Sequence, residues 1–166
     1  FAFGCNMGAS ILTAKLFGQK EDTKMKTGIN TSIISSLVCC FILMLIGLLS
    51  AKPLLIALNT PNHILQDSLD YLNIYTWGLV FLFTYNIATG IFAAFGDSRT
   101  PFIFLVASSL ANIGMDILFV AKFNMGVAGV AWATFICQGV SSVLANITLF
   151  INFILFHSFL RHSFFI

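Results

Sequence analysis

The charged residues of this chain are confined to a few short segments, and long uncharged apolar runs separate those segments. Only 8% of the 166 residues are Asp, Glu, Lys or Arg, whereas 58% are hydrophobic. A water-soluble domain carries about 25% charged residues, so this composition cannot cover a water-facing surface. The chain is therefore predicted to be an integral membrane protein. Its formal net charge of +2 is too small to indicate a nucleic-acid partner.

Five apolar runs approach or exceed the roughly 20 residues that an α-helix needs to cross a bilayer. No run alternates apolar and polar residues as a strand would. The fold class is therefore predicted to be all-α, an integral-membrane bundle of about five transmembrane helices, with residues 1–166 forming a single membrane domain. The predicted spans are residues 1–17, 30–50, 69–95, 101–121 and 127–156.

The first residue is Phe1 rather than Met, and it lies inside an apolar run. No basic region followed by a cleavage site is present there, so a signal peptide is not indicated. We expect the sequence to be a fragment of a longer protein.

Alternating connections across the membrane place residues 18–28 and 96–100 on one side and residues 52–67 on the other. Six of the eight basic residues lie on the first side, and this excess indicates that it faces the cytoplasm. We expect the membrane to be the plasma or inner membrane of the cell. The six are Lys15, Lys20, Lys24, Lys26, Arg99 and Arg161, and the other two are Lys52 and Lys122.

Two connections carry clear signals for helix ends. Gly96 is predicted to end one helix, with Thr100 as the N-cap of the next helix and Pro101 at its first position. Residues 124–126 are predicted to form a tight turn.

Asp116 lies near the end of a run, residues 101–120, that otherwise carries no charge. A carboxylate near the centre of a lipid-spanning helix costs roughly 2.5–3.5 kcal/mol on insertion scales, and less toward the ends. The nearest cation is Lys122, about one and a half turns away, and it can reach outward to water. Proteins usually retain such a carboxylate for ion, proton or substrate handling, so Asp116 is the best candidate for a functional residue.

Polar residues recur at helical spacing on three of the predicted spans, and together they would line a polar pocket in an otherwise apolar bundle. Two structural explanations compete with this one: hydroxyl and amide side chains commonly pack membrane helices together, and tyrosines form interfacial belts. The residues are Ser108, Asn112 and Asp116 on the fourth span, Thr134, Gln138 and Ser141 on the fifth, and Tyr71, Tyr75 and Asn86 on the third.

Asp116, Asn112 and Thr134 offer the hard oxygen ligands that suit Na⁺. A carboxylate in such a place can also take up and release a proton. Either event changes the local charge by one unit, which can bias two arrangements of the helices. We expect no cofactor other than Na⁺ or H⁺ as a coupling ion.

Several segments in succession resemble the multidrug and toxic compound extrusion (MATE) family of transporters. Each segment alone is loose, but the order is kept along nearly the whole chain. The segments are residues 14–20, 70–74, 96–101, 112–119 and 125–134.

The resemblance implies a twelve-helix transporter with two lobes, in which this chain supplies helices two to six of the N-terminal lobe. Members of the family export organic cations and drugs in exchange for Na⁺ or H⁺. Asn112 and Asp116 would then belong to the cation or proton site, with Thr134 and Tyr71 beside them. The expected partners are the lipid bilayer, the transported cations, and the first helix and second lobe of the same transporter.

Three other functions remain open at this point. A lipid-linked oligosaccharide flippase of related architecture would be expected to place basic residues at its span centres, and none lies there. A membrane enzyme needs a nucleophile and base, or metal ligands, at one depth, and His63, His157 and His162 are predicted to lie far from Asp116. A non-transporting scaffold would keep its function when Asp116 is replaced by Asn.

Overall fold

The computed structural model describes residues 2–19 and 21–163. Phe1 and Lys20 lie outside the described residues, as do the side chains of Arg161, His157 and His162. The elements in chain order are α1 (Ala2–Gly18), α2 (Asp22–Ala57), α3 (Asn62–Ala94), α4 (Arg99–Ile117), a π turn (Leu118–Lys122) that continues α4, and α5 (Gly126–Ser163). The all-α prediction is confirmed, and the described residues contain no strand.

Four stretches within the described residues are long and apolar enough to cross a membrane. Each contains most of one predicted span, whereas α1, which corresponds to the first prediction, has 17 described residues and is shorter. The four stretches are Thr23–Ala57, Asn62–Ala94, Arg99–Lys122 and Gly126–Asn152.

Helix α3 lies at the centre of the bundle. It packs against α5, α1 and α2, whereas α4 packs almost entirely against α5. Buried side chains such as Phe83 and Phe92 are accordingly frequent on α3. On α4, by contrast, Pro101 alone is buried among the described residues. Large apolar side chains of α4, including Leu110, point away from the bundle, as expected for a helix that faces lipid. The polar face of α4 is therefore positioned by α5.

Two connections are much shorter than predicted. Residues 18–28 were predicted to be a loop, but α2 already begins at Asp22. Residues 52–67 were also predicted to be a loop, but α2 continues past Pro53 to Ala57 and α3 begins at Asn62.

The length of α2 explains this error. At 1.5 Å per residue its 36 residues extend about 54 Å, well beyond a hydrocarbon layer of about 30 Å. The projecting ends meet water, which solvates charged side chains and the carbonyl group that Pro53 leaves without a donor. The charged residues therefore mark the membrane surface and not the helix ends.

The end of α3 has the geometry that its sequence predicts. Helix α3 ends at Ala94, and Gly96 adopts a left-handed conformation with φ of 80°. The amide of Gly96 donates to the carbonyl of Ala93, and the amide of Asp97 donates to the carbonyl of Phe92. These two bonds form a Schellman motif, in which glycine avoids the clash of a side chain at positive φ.

The start of α4 differs from its prediction. The helix begins at Arg99, so Thr100 is already helical and is not the N-cap. Oδ1 of Asp97 accepts hydrogen bonds from the backbone amides of Arg99 and Thr100, each at 3.1 Å. Two hydrogen bonds from Thr100 hold the pKa of the Asp97 carboxyl below its ordinary value. The bond from the Thr100 side chain has the larger effect, and the bond from its backbone amide comes second. Asp97 therefore caps α4, because its carboxylate binds two amides that the first turn leaves free, whereas Ser98, directly before the helix, makes no side-chain capping bond.

Candidate functional site

A polar contact joins α4 and α5. Nδ2 of Asn112 lies 3.5 Å from Oγ1 of Thr134, a long hydrogen bond between two half-buried side chains. Asn112 and Asp116 are one helical turn apart on the same face of α4. The structure thus places the three residues predicted to hold a cation on the two helices that face each other.

One carboxylate oxygen of Asp116 is buried and has no hydrogen-bond partner. Buried polar atoms in proteins almost always have a partner, because an unpaired one loses its hydration without compensation. In the described part of the chain no ion pair includes Asp116, and Lys122 is exposed. A Na⁺ ion could coordinate this oxygen, with the amide oxygen of Asn112 and the hydroxyl of Thr134 as further ligands. A proton would instead remove the negative charge of the carboxylate.

Ser108, the first of the three polar residues predicted to line the pocket from α4, packs directly on the backbone of α5. Oγ of Ser108 donates to the carbonyl of Cys137 at 3.1 Å, and Sγ of Cys137 lies 3.5 Å from Sδ of Met115. Ser108 and the buried Ser141 both line a pocket of about 260 Å³ between the two helices. The rest of that lining is almost entirely apolar, so these two hydroxyls lie in a largely apolar pocket that does not include Asp116.

The predicted residues of α3 make separate contacts. The rings of Tyr71 and Tyr75 stack with centroids 6.2 Å apart and planes 9° apart. Nδ2 of Asn86 donates to the carbonyl of Leu82 on its own helix. Oε1 of Gln138 reaches across from α5 toward Gly78. Among the described residues, no hydrogen bond connects any of these side chains to Asp116.

The π turn beyond Asp116 has no counterpart in the sequence-based prediction. It begins at Leu118, two residues after Asp116, and the amide of Phe123 donates to the carbonyl of Leu118 at 3.2 Å. The turn lies at the C-terminal end of α4, where such wider turns are common. A side chain at Gly129 of α5 would lie 3.1 Å from Cβ of Phe119, so the glycine lets the π turn approach closely.

The sequence offered little signal for that turn. Gly129 is a small residue of the kind that suits helix packing, but nothing in the sequence of this stretch distinguishes an α-turn from a π turn. The tight turn that follows is confirmed, since Asn124 and Gly126 have φ of 53° and 56°.

A further polar link joins α3 to the start of α4. The hydroxyl of Tyr85 donates to the carbonyl of Pro101 at 2.8 Å. Pro101 cannot donate from its nitrogen, but its carbonyl remains free to accept. The link holds the first turn of α4 beside α3, although the two helices otherwise touch little.

Comparison with known proteins gives consistent results. The MatE family model matches residues 1–118. The probable multidrug resistance protein YoeA of Bacillus subtilis is 29% identical over 140 residues, which cover 82% of this chain and 30% of that protein. The probable multidrug resistance protein NorM of Bacillus anthracis is 25% identical over 148 residues, covering 85% of this chain and 33% of that protein. The chain spans about a third of the length of the curated relatives it matches.

Solved structures share the fold. The inward-facing conformation of a multidrug resistance MATE family transporter of the MOP superfamily matches with a TM-score of 0.83 and 23% identity, over 87% of this chain and 33% of that one. The outward-facing conformation of such a transporter matches with a TM-score of 0.84 and 23% identity, over 91% and 34%. Because the family model covers more than half of the sequence and the helices are arranged as in these structures, the chain belongs to the MATE family.

Proposed function

We propose that these helices form part of the N-terminal lobe of a multidrug efflux transporter, which exports organic cations in exchange for Na⁺ or H⁺. The observation that carries the proposal is the buried, unpartnered Oδ1 of Asp116 beside the contact between Asn112 and Thr134. The names of the relatives, probable multidrug resistance proteins, support the export of drugs.

The site fits either coupling ion. The carboxylate of Asp116, the amide oxygen of Asn112 and the hydroxyl of Thr134 are hard donors of the kind that Na⁺ prefers. A proton on Asp116 would remove the charge of the same buried carboxylate, and burying a neutral carboxyl costs less than burying a charged one. Either ion removes one negative charge from the face of α4 that meets α5, so occupancy can favour one packing of these helices over another. Tyr71 is proposed as an additional member of the site.

The transported cation is proposed to pass the remaining polar residues of the bundle. These residues are Ser108, Gln138, Ser141, Tyr75 and Asn86. Alternating access requires two halves that move against each other around the bound ligand. We therefore expect liposomes that contain only these 166 residues to show no sustained efflux, because transport requires the first helix and the second lobe.

The proposed location is the plasma or inner membrane, with residues 18–28 and 96–100 on the cytoplasmic side. The support is the excess of basic residues on that side. Both connections join helices at the same end of the bundle, as an alternating path requires.

The test is efflux of a fluorescent organic cation, ethidium, by the transporter that contains these helices, with a Na⁺ gradient or a proton gradient imposed separately. The gradient that supports wild-type efflux identifies the coupling ion. Asp116→Asn is expected to abolish efflux under both gradients. Asp67→Asn, which removes the same charge from an exposed position of α3, is the matched control and should retain efflux. Wild-type efflux by Asp116→Asn would refute the coupling role.

A further inference from the structure

A second pocket, of about 610 Å³, lies between the N-terminal halves of α3 and α5. Its size is within the range of about 300–1,000 Å³ that is typical of sites for drug-sized ligands. Its polar lining comes from Asp70 and Asn73, and its aromatic lining comes from Trp77, Trp132 and Phe135.

This pocket is separate from the Asp116 site. Trp132 and Thr134 are two residues apart on α5, and successive residues of an α-helix are rotated by about 100°. The two side chains therefore lie on nearly opposite faces of α5. Thr134 contacts Asn112 of α4, whereas Trp132 lines the pocket with residues of α3.

Asp70 supplies a negative charge to the lining of the pocket. Its side chain is exposed, and Nε2 of Gln66 donates to its Oδ1 at 3.0 Å. This bond orients the carboxylate and engages one of its two oxygens. No Lys or Arg is among the residues that line the pocket, so the charge there is uniformly negative.

The aromatic walls are held in place by ring contacts. Trp132 meets Phe135 edge to face with ring centroids 5.5 Å apart, and Phe135 meets Phe81 in the same way at 5.1 Å. Trp77 and Trp132 nevertheless remain 54% and 42% exposed. Tryptophans near a membrane surface often form an interfacial belt, but a belt does not require a carboxylate and an amide in the same pocket as two indoles.

We propose that this pocket binds a bulky monovalent organic cation, whose apolar body packs against Trp77 and Trp132 while its charge lies beside Asp70. Indole faces attract cations, and the carboxylate adds a charge of the opposite sign. The inference rests on the proposed function for the class of ligand, and it adds a binding site apart from Asp116.

Both tryptophans of these 166 residues line this pocket. In the transporter that contains these helices, with any other tryptophan replaced by phenylalanine, intrinsic tryptophan fluorescence therefore reports its occupancy. The probes are tetraphenylphosphonium and tetraphenylborate, which have nearly the same shape and opposite charge. With the protein in a neutral detergent, tetraphenylphosphonium is expected to change the fluorescence saturably. Asp70→Asn should weaken its binding about tenfold, and Trp132→Leu should weaken it while Trp77 still reports. Asp67→Asn, one turn away on α3, should bind as the wild type does.

An unchanged midpoint in Asp70→Asn, with helix content preserved by circular dichroism, would overturn the proposal. Binding of tetraphenylborate with the same midpoint would overturn it as well, because the pocket would then recognise the apolar shape and not the positive charge. Asp116→Asn separates this inference from the proposed function. It should bind tetraphenylphosphonium normally, even though it is expected to lose efflux.

Discussion

Gly90 of α3 lies so close to Asn6 of α1 that a methyl group at Gly90 would be 2.6 Å from Oδ1 of Asn6 and 2.7 Å from its carbonyl oxygen. The carbonyl belongs to the backbone of α1, so a side chain at Gly90 would force the two helices apart. Small residues permit such close approach in membrane bundles, where van der Waals packing replaces the hydrophobic effect as the force between helices.

Gly90→Ala is therefore expected to destabilise the protein by about 1–3 kcal/mol, the usual cost of overpacking. The matched control is Gly114→Ala in α4, where a new Cβ meets no atom within 4 Å. That substitution should be neutral or stabilise the helix by up to about 1 kcal/mol. Unfolding in detergent, followed by circular dichroism, measures both. Equal stability of the two variants would contradict the close packing of α1 on α3.

Thr134 is expected to act through its hydroxyl rather than its shape. Thr134→Val keeps the branched side chain but removes the oxygen that lies 3.5 Å from Nδ2 of Asn112. Loss of one such polar contact costs on the order of 1 kcal/mol, so the apparent affinity for the coupling ion should fall about fivefold to tenfold. Thr134→Ser should remain close to the wild type. Efflux rates at varied Na⁺ or H⁺ concentration give these affinities. A wild-type affinity in Thr134→Val would show that Thr134 does not belong to the ion site.

Asp97 is expected to make stability depend on pH at the start of α4. Hydrogen bonds from Thr100 lower the pKa of its carboxyl in the folded protein, so this contribution is present above the ordinary carboxyl pKa. It is lost as the pH falls through the lowered folded pKa. Asp97→Ala should cost about 1 kcal/mol at neutral pH, the usual effect of removing a helix cap, and should flatten the acid side of the stability profile. Unfolding of Asp97→Ala and of Asp67→Ala across that range makes the comparison, and identical profiles would show that Asp97 does not cap α4.

The orientation in the membrane can be tested with introduced cysteines at two turns. Ser98→Cys lies in the turn between α3 and α4, and Asn124→Cys lies in the turn before α5, at the opposite end of the bundle. A membrane-impermeant thiol reagent added to intact cells should label Asn124→Cys. Ser98→Cys should react only after the membrane is opened. The reverse pattern would show that the excess of basic residues does not indicate the cytoplasmic side here.

The sequence predicted the fold class well because long apolar runs leave few alternatives in a membrane. Backbone amides and carbonyls must be paired where no water is present, so such runs become helices. The sequence predicted the connections poorly, because the charged residues of segments 18–28 and 52–67 lie largely within helices that continue past the membrane surface. The capping of α4 by Asp97 instead of Thr100 depends on turn geometry that residue preferences do not specify.

The sequence by itself also determined that Asp116 carries an isolated charge in an apolar run, because that follows from composition and spacing alone. Only the tertiary structure decided which polar residues meet. It placed Asn112 against Thr134, stacked Tyr71 on Tyr75, and brought Asp70 into one pocket with two tryptophans on the other side of α5. Helical spacing defines the faces of each helix, but the rotation of one helix against another is set by packing at positions such as Gly90 and Gly129, where the close contacts are formed.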